Sequence, residues 1–325
     1  YENLKESKPI DEGPADAGFA SPIPRVTTAL IDQVCAIAQS KYGYDTLGIF
    51  SGTQEQDEKV TAKLDWNADD DNRVSLTYIR NVGSNQFSQN MGVSSTSPTF
   101  GFRSNGYELT EEINSGTLQW LSNWSDSFST DLRVAYRDYN RGQAAFGDAR
   151  AQFEVCTDPI SIATGVGGNS ATSCGNTTTS NPRLFFGPDI SRHANQLNTD
   201  NLAIDLTPKL EAGNHSFKGL ISFGRTRTFN LFLQRAYGSL YFDSIADFQA
   251  GKASQLRLAN AVPSLDPNDA AARFTTQNYA FGLQDDWQVN DQLMLTIGAR
   301  YDLQGSKTRV PLNVNFLARN GFPNN

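Results

Sequence analysis

Residues 279–302 hold a pattern that few folds can satisfy. Tyr279, Phe281, Leu283, Trp287 and Val289 alternate with Ala280, Gly282, Gln284 and Asp286. After Asn290-Asp291, Leu293, Leu295, Ile297, Ala299 and Tyr301 alternate with Thr296, Gly298, Arg300 and Asp302. A period of two kept up this long gives a strand with one apolar and one polar face, not a helix. A short polar turn between two such runs makes a hairpin.

The pattern recurs upstream. Val60, Ala62, Leu64 and Trp66 oppose Lys63, Asp65 and Asn67, and after an acidic turn Val74, Leu76 and Tyr78 oppose Ser75 and Thr77. Leu118, Trp120 and Trp124 share a face, then Leu132, Val134 and Tyr136 alternate with Arg133, Ala135 and Arg137. Leu202, Ile204, Leu206 and Leu210 oppose Ala203, Asp205 and Lys209, and Phe217, Ile221 and Phe223 follow, with Lys218 on the other face. Strand pairs are therefore predicted near 57–82, 113–141, 198–230 and 275–304.

The connections alternate in length. Those near 69–72, 125–129, 211–215 and 290–291 are tight, while 83–110, 142–196 and 231–273 are long. Compact soluble domains rarely carry several loops of that length. Transmembrane barrels do, with short periplasmic turns and long extracellular loops. Trp66, Trp124 and Trp287 lie close to tight turns on the apolar face, where an interfacial aromatic girdle belongs. Tyr136, Tyr279 and Tyr301 stand higher on that face. A tilted strand separates Tyr279 from Trp287 by roughly 20 Å along a barrel axis, near the height of an apolar band.

The reading is all-β: an antiparallel up-and-down transmembrane β-barrel, with about eight strands in this chain. Its lumen face carries Lys63, Asp65, Thr77, Arg133, Arg137 and Asp205 in the first half. Lys209, Lys218, Gln284, Asp286, Arg300 and Asp302 continue it in the second. A soluble sandwich would also alternate, but would not explain the loop lengths or the tryptophans. Residues 1–56 read as one more extracellular loop, with a helix near 27–41 and a strand end at Tyr1-Glu2. In that helix Leu30, Val34, Ile37 and Ala38 keep helical spacing between Thr27 or Thr28 and Gly43. SIADFQAG reads as a second short helix with a capping box, Ser244 to Asp247.

Bulk properties narrow the functions. Apolar residues make up 38% and charged residues 19%, too much of the first for a disordered chain. Net charge is −8, which excludes nucleic-acid binding through a general basic field. No run approaches the length of a membrane-spanning helix, a test that says nothing about barrels. The chain opens at Tyr1 without a signal peptide and closes in the loop-like NGFPNN, so it reads as an internal piece of a longer protein.

Cys156 and Cys174 flank a Gly/Ser/Thr/Asn-rich stretch, and a disulfide there would contribute roughly 3 kcal/mol by constraining the unfolded chain. Free thiols in a reducing compartment are the alternative. Cys35 is left over, either as a buried helix residue or with a partner beyond this chain.

Signals for chemistry are sparse. His193 falls in a long loop and His215 in a tight turn, neither with a metal-ligand neighbour. The glycines of 165–168 precede no helix with a lysine, so they make no phosphate loop. Asp69–Asp71 lacks the glycine and terminal glutamate of a calcium loop and reads as a solvated turn, and Asp266-Pro-Asn-Asp269 reads as an ordinary turn, with a calcium contact as the alternative. No cofactor and no catalytic residue is assigned. Arg80, Arg225 and Arg227 have outward parity and could meet anionic headgroups at the outer rim, turn inward at a bulge, or be solvated. Phe100, Phe102, Tyr107, Phe146, Phe185, Phe186, Tyr237 and Tyr241 are candidate ligand contacts in the loops, or else pack the loops together.

The stretch YAFGLQDDWQVNDQLMLTIGARYDL resembles a strand–turn–strand of TonB-dependent outer-membrane receptors. YENLKESKP, DEGPADAGF, VTTALIDQVCAIAQSKYGYD, DEKVTAKLDWNADDDNRVSLTYI and YFDSIADFQAG resemble the Oar-like subgroup, which often carries a carboxypeptidase-regulatory-like domain. The resemblance implies a barrel of roughly 22 strands around an N-terminal plug. Such a receptor takes up a scarce solute with energy passed through TonB. Its implied partners are outer-membrane lipid and lipopolysaccharide, TonB through a plug not contained in this chain, and a small-molecule, carbohydrate or peptide ligand. The rival expectations are a plug-free porin-like channel, a surface adhesin barrel and a soluble β-rich enzyme.

Overall fold

The alternating runs form strands, and the strands outrun the alternation. The structure, a computed structural model, describes residues 1–157, 174, 181–306 and 308–324. The glycines of 165–168 lie outside the described residues.

In chain order the elements are β1 (Glu2–Pro9), β2 (Glu12–Pro14), β3 (Ser21–Ile23), α1 (Thr28–Tyr42), β4 (Gly52–Asn67), β5 (Asn72–Phe87) and β6 (Thr99–Gly101). There follow β7 (Tyr107–Ser125), β8 (Phe128–Ala145), β9 (Gln152–Cys156), β10 (Arg183–Phe186), β11 (Asn195–Ala212) and β12 (His215–Phe232). The last are β13 (Ser239–Phe242), α2 (Ile245–Ala250), β14 (Gln255–Arg257), β15 (Ala272–Asn290), β16 (Leu293–Ser306) and α3 (Val314–Asn320).

Nine strands form one sheet in the order β1-β4-β5-β7-β8-β11-β12-β15-β16. Every neighbouring pair is antiparallel. The register decides which residues share a face. Trp66, Val74, Trp120, Leu132, Leu206, Ile221, Phe281 and Tyr301 form one row across the sheet. One residue further along, Asp65, Ser75, Gln119, Arg133, Asp205, Ser222, Ala280 and Asp302 form a row on the opposite face. A slip of one residue at any pair would put charges among the apolar rows. Among the described residues nothing covers the apolar face at these positions: Leu64 is 64% exposed, Trp66 60% and Ile297 62%.

Toward the loop end the apolar face turns polar. Ala62, Tyr78, Gly116, Tyr136 and Leu202 form a row, and the next row on that face is Val60, Arg80, Asn114, Asp138 and Asp200. Beyond it β4 and β5 continue to Gly52 and Phe87 as a hydrogen-bonded ladder. Above lipid neither face needs to be apolar, so the ladder persists where the alternation stops. For the same reason residues 2–9 escape the sequence pattern. They form a full strand, registered from Glu2↔Lys59 to Pro9↔Gly52, where the sequence suggests only a strand end at Tyr1-Glu2 followed by loop.

The long connections share a fold of their own. Five short strands form a mixed sheet, β14-β13-β9-β10-β6, drawn from three separate connections. Its inner face, Phe100, Phe153, Val155, Leu184, Phe186 and Phe242, packs on Ile31, Val34, Ile37 and Ala38 of α1 and Phe248 of α2. Both helices are capped as their sequences suggest. The Thr27 side chain accepts from the Leu30 N–H, that of Ser244 accepts from the Asp247 N–H, and Gly43 ends α1 in the left-handed region at φ 59°. The sequence of each suggests no more than local loop packing, and the structure corrects this: both belong to a core to which all four connections contribute. Burial of each of these phenylalanines contributes about 1.5–3 kcal/mol relative to exposure.

The two faces of the large sheet should respond oppositely to charge. Leu76→Arg, on the apolar face, is expected to destabilise the folded barrel in bilayers by about 2–4 kcal/mol, and Thr77→Arg by far less. Urea unfolding in lipid vesicles, followed by gel mobility of unheated samples, checks this. Equal losses from the two variants would contradict the assignment of faces.

Candidate functional site

Two surfaces can meet a solute: the polar face of the large sheet and the domain made by the connections. The polar face holds all twelve residues predicted for it, because the register keeps their parity from β4 to β16. Several are pinned by neighbours. Lys63 Nζ lies 2.9 Å from Asp65 Oδ2, and Asp65 also accepts from Ser75 Oγ. Arg300 grips Asp302 with both groups of its fork, Nε donating to Oδ2 at 2.9 Å and to Oδ1 at 3.1 Å, and Nη2 to Oδ1 at 2.8 Å. Asp205 accepts from Ser222 Oγ at 2.5 Å, and Asp286 from Thr296 Oγ1 at 2.6 Å. Such a wall offers donors and acceptors of both charges along its height and no concentrated nucleophile.

The opposite face carries the aromatic residues expected at its borders. Trp66, Trp124, Tyr136, Tyr279 and Tyr301 are exposed there, and Trp287 is half-buried on the same face. Trp287 stacks on the His215 ring at 5.4 Å, and Phe217 stacks on it at 5.6 Å. His215 Nδ1 is 2.8 Å from Asp285 Oδ2. Arg80, Arg225 and Arg227 keep outward parity, so the inward-turned alternative does not hold. They are not free cations. Arg80 pairs with Glu58 at 3.4 Å and Glu112 at 3.5 Å, and Asp200 lies 3.5 Å from Arg225 and 3.9 Å from Arg227.

In the loop domain most of the aromatic residues proposed as ligand contacts are structural. Phe100, Phe102 and Phe186 are fully buried in its core, and Tyr107, Phe185 and Tyr241 are buried around it. Phe100, Phe102 and Phe186 contact one another through their rings, so these three pack the loops together. Phe102 and Phe186 meet edge to face at 6.0 Å, and Phe87 covers Tyr107 at 5.2 Å. Only Tyr237, 43% exposed, and the half-buried Phe146 remain accessible. Phe146 packs on Phe50, and the Arg103 guanidinium lies over both rings at 5.7 and 5.9 Å. Phe153, Phe242, Phe248, Tyr42 and Tyr44 complete the aromatic core and were not singled out by sequence. The signal was there in short form: Phe153 and Val155 alternate with Gln152 and Glu154 over a few residues.

Buried polar groups lock the domain. Arg183 Nη1 donates to Glu154 Oε1 at 3.2 Å across β9 and β10. Burial raises the Glu154 pKa, against the pull of Arg183. Burial likewise pushes the Tyr44 hydroxyl up to about 12 and the Cys35 thiol above its ordinary value. Cys35 is unpaired and lies 2.9 Å from Thr46 Oγ1, so it is an inert helix residue. Cys156 and Cys174 are joined as a disulfide. His193 is held twice: Nε2 donates to the Pro188 carbonyl at 3.0 Å, and Nδ1 accepts from the Tyr237 N–H at 3.1 Å. This arrangement admits only the neutral ring.

Residues 20–321 match the outer membrane beta barrel domain family. The chain belongs to that family. Its place is the bacterial outer membrane, with the tight turns at the periplasmic side and the long connections outside. Among solved structures it is similar to the outer membrane transporter YddB from Escherichia coli, at 12% identity and TM-score 0.48 over 78% of this chain and 28% of that one. It is also similar to a point mutant of the ferric enterobactin receptor PfeA from Pseudomonas aeruginosa, at 9% identity and TM-score 0.40, covering 78% and 30%. A third is BauA, the ferric preacinetobactin receptor from Acinetobacter baumannii, at 11% and 0.38, covering 79% and 35%. The chain thus spans about a third or less of each of these proteins. No curated protein sequence matches it.

The extracellular domain should loosen in mild acid. Burial holds the His193 pKa below the ordinary 6.5. Between the two values the unfolded chain binds a proton that the folded chain refuses. The contribution is therefore complete above pH 6.5 and declines as pH falls toward the folded value. Hydrogen exchange at residues 188–194 and 235–238 should accelerate from pH 7 to 5 in the native protein, and His193→Asn should abolish that dependence. Unchanged exchange across this range would contradict the locked neutral ring.

Proposed function

We propose that this chain is barrel from a TonB-dependent outer-membrane receptor of the Oar-like subgroup. The receptor binds a scarce small-molecule, carbohydrate or peptide ligand outside and admits it past a plug with energy passed through TonB. The step is binding and gated transport, with no covalent chemistry.

One observation carries the reading: connections far apart in sequence fold into a single extracellular domain with a shared core. Recognition of a dilute solute needs contacts held by rigid support. A passive pore has no such need. The polar wall of β4 to β16 then offers a wet path behind the domain, and the apolar face and its aromatic borders seat the barrel in lipid and lipopolysaccharide. Dependence on TonB is supported by the resemblance of the hairpin at 279–303 to those receptors, and by nothing in the site itself.

Two measurements test the proposal. Uptake of the receptor's ligand should cease when TonB is deleted, whereas uptake that persists would favour a plug-free channel. Phe186→Ala should destabilise the extracellular domain by about 3–5 kcal/mol and abolish ligand binding at the cell surface. The barrel should still migrate as a folded species on unheated gels. Binding that survives loss of the domain's fold would place recognition elsewhere.

A further inference from the structure

One acid stands on the lipid-facing side where no other does. Asp285 of β15 has outward parity: it is registered between Phe217 of β12 and Ile297 of β16, one row inside Trp287 and Leu295. Among the described residues it is the single strand acid on that face in the half of the sheet nearest the tight turns. The strand cations of outward parity, Lys5, Arg80, Arg225, Arg227 and Arg273, all stand toward the opposite end. A carboxylate at a lipid border is costly unless its charge and its lone pairs are answered.

The chain answers only part of it. His215 Nδ1 donates to Asp285 Oδ2 at 2.8 Å, while Asp285 Oδ1, covered by the protein, has no hydrogen-bond partner. With Nδ1 committed as the donor, Nε2 of the neutral ring is an acceptor, and nothing among the described residues bonds to it. The imidazole is clamped between Phe217 and Trp287, at 5° and 12° to their ring planes. The pair stays reachable from outside, with 23% of the Asp285 side chain and 37% of the His215 side chain exposed. The Trp287 indole N–H also lacks a partner among the described residues.

We infer that Asp285, His215, Phe217 and Trp287 bind the headgroup of one phospholipid of the periplasmic leaflet, a headgroup that ends in a primary ammonium. The place selects a lipid: this face looks at the bilayer, and Trp287 stands at its periplasmic border. The chemistry selects the headgroup. A carboxylate flanked by aromatic faces attracts a cation. The ring faces alone would take any ammonium, but the carboxylate and His215 Nε2 are acceptors and need N–H groups. A primary ammonium carries them and a trimethylammonium does not. The phosphate beside that ammonium finds a donor in the Trp287 indole. An anionic headgroup without an amine would meet the Asp285 carboxylate as a like charge. The site needs only the barrel and its orientation, so it stands apart from the transport reading.

Lipid retention by the full-length protein tests this. The protein is reconstituted in phosphatidylcholine bilayers holding small equal amounts of phosphatidylethanolamine and phosphatidylglycerol, then released and weighed by native mass spectrometry. Relative to its share of the bilayer, one phosphatidylethanolamine should be retained several-fold more than either other lipid. Asp285→Asn should remove that preference, and Asp291→Asn, an acid of the adjacent turn, should leave it. Both variants should migrate as folded barrels on unheated gels. Preference for phosphatidylglycerol, equal retention of all three lipids, or a preference that survives in Asp285→Asn overturns the proposal. Should Asp285→Asn fail to fold, the comparison of the three lipids on the unaltered protein decides alone.

Discussion

A polypeptide in lipid has no water to satisfy its backbone, so every N–H and C=O must find a partner within the protein. That demand fixes the large sheet. Each strand of this sheet between β1 and β16 is paired along both edges, and the pairing runs from the tight turns to the far end of the ladder, interrupted at Thr207-Pro208 and at the register shifts near Ser125 and Asn290. Once the ladder is fixed, the side chains have no further choice. Within the membrane, even-numbered residues of β4 and β5 face lipid and odd-numbered ones face the lumen, and the register carries the division of faces to β16.

The second constraint acts above the membrane. There the strands need not be apolar on either side, and the connections are long enough to bury something. They bury one another. Phe153 of one connection stacks on Phe242 of another at 6.2 Å, and Tyr42 of a third stacks on Phe248 at 4.9 Å. Loops tied in this way cannot move independently, which suits a surface that recognises rather than one that merely shields. The barrel and the domain therefore divide the work between lipid anchoring and contact with the outside.

What could be read from the sequence follows the same division. The strand pairs were legible because lipid and water impose opposite demands on adjacent residues, so Leu283 and Gln284 declare their faces at once. β1 was not legible: ENLKESKP lies beyond the lipid, where a strand carries no signature of alternation. The helices were legible from Thr27, Gly43 and Ser244, since capping is local chemistry. Their common core was not, because Val34 shares it with Phe100 and Phe186, far along the chain and on strands of only three or four residues. For that reason buried rings such as Phe102 and Phe186 looked like contacts for a ligand. Of the wall, the sequence supplied parity but not proximity: that Lys209 and Lys218 face each other emerges only from the register of β11 on β12.

The central claim is that one face of this sheet looks at lipid and the other at an aqueous lumen. A spin-label scan tests it most directly, with single cysteines from Tyr279→Cys to Gln288→Cys in the full-length protein reconstituted in bilayers. Collision rates with oxygen, which concentrates in lipid, should peak at 279, 281, 283 and 287 and fall at 280, 282, 284 and 286, where a water-soluble relaxant should dominate. A profile without period two, or one with all positions equally wet, would contradict the account.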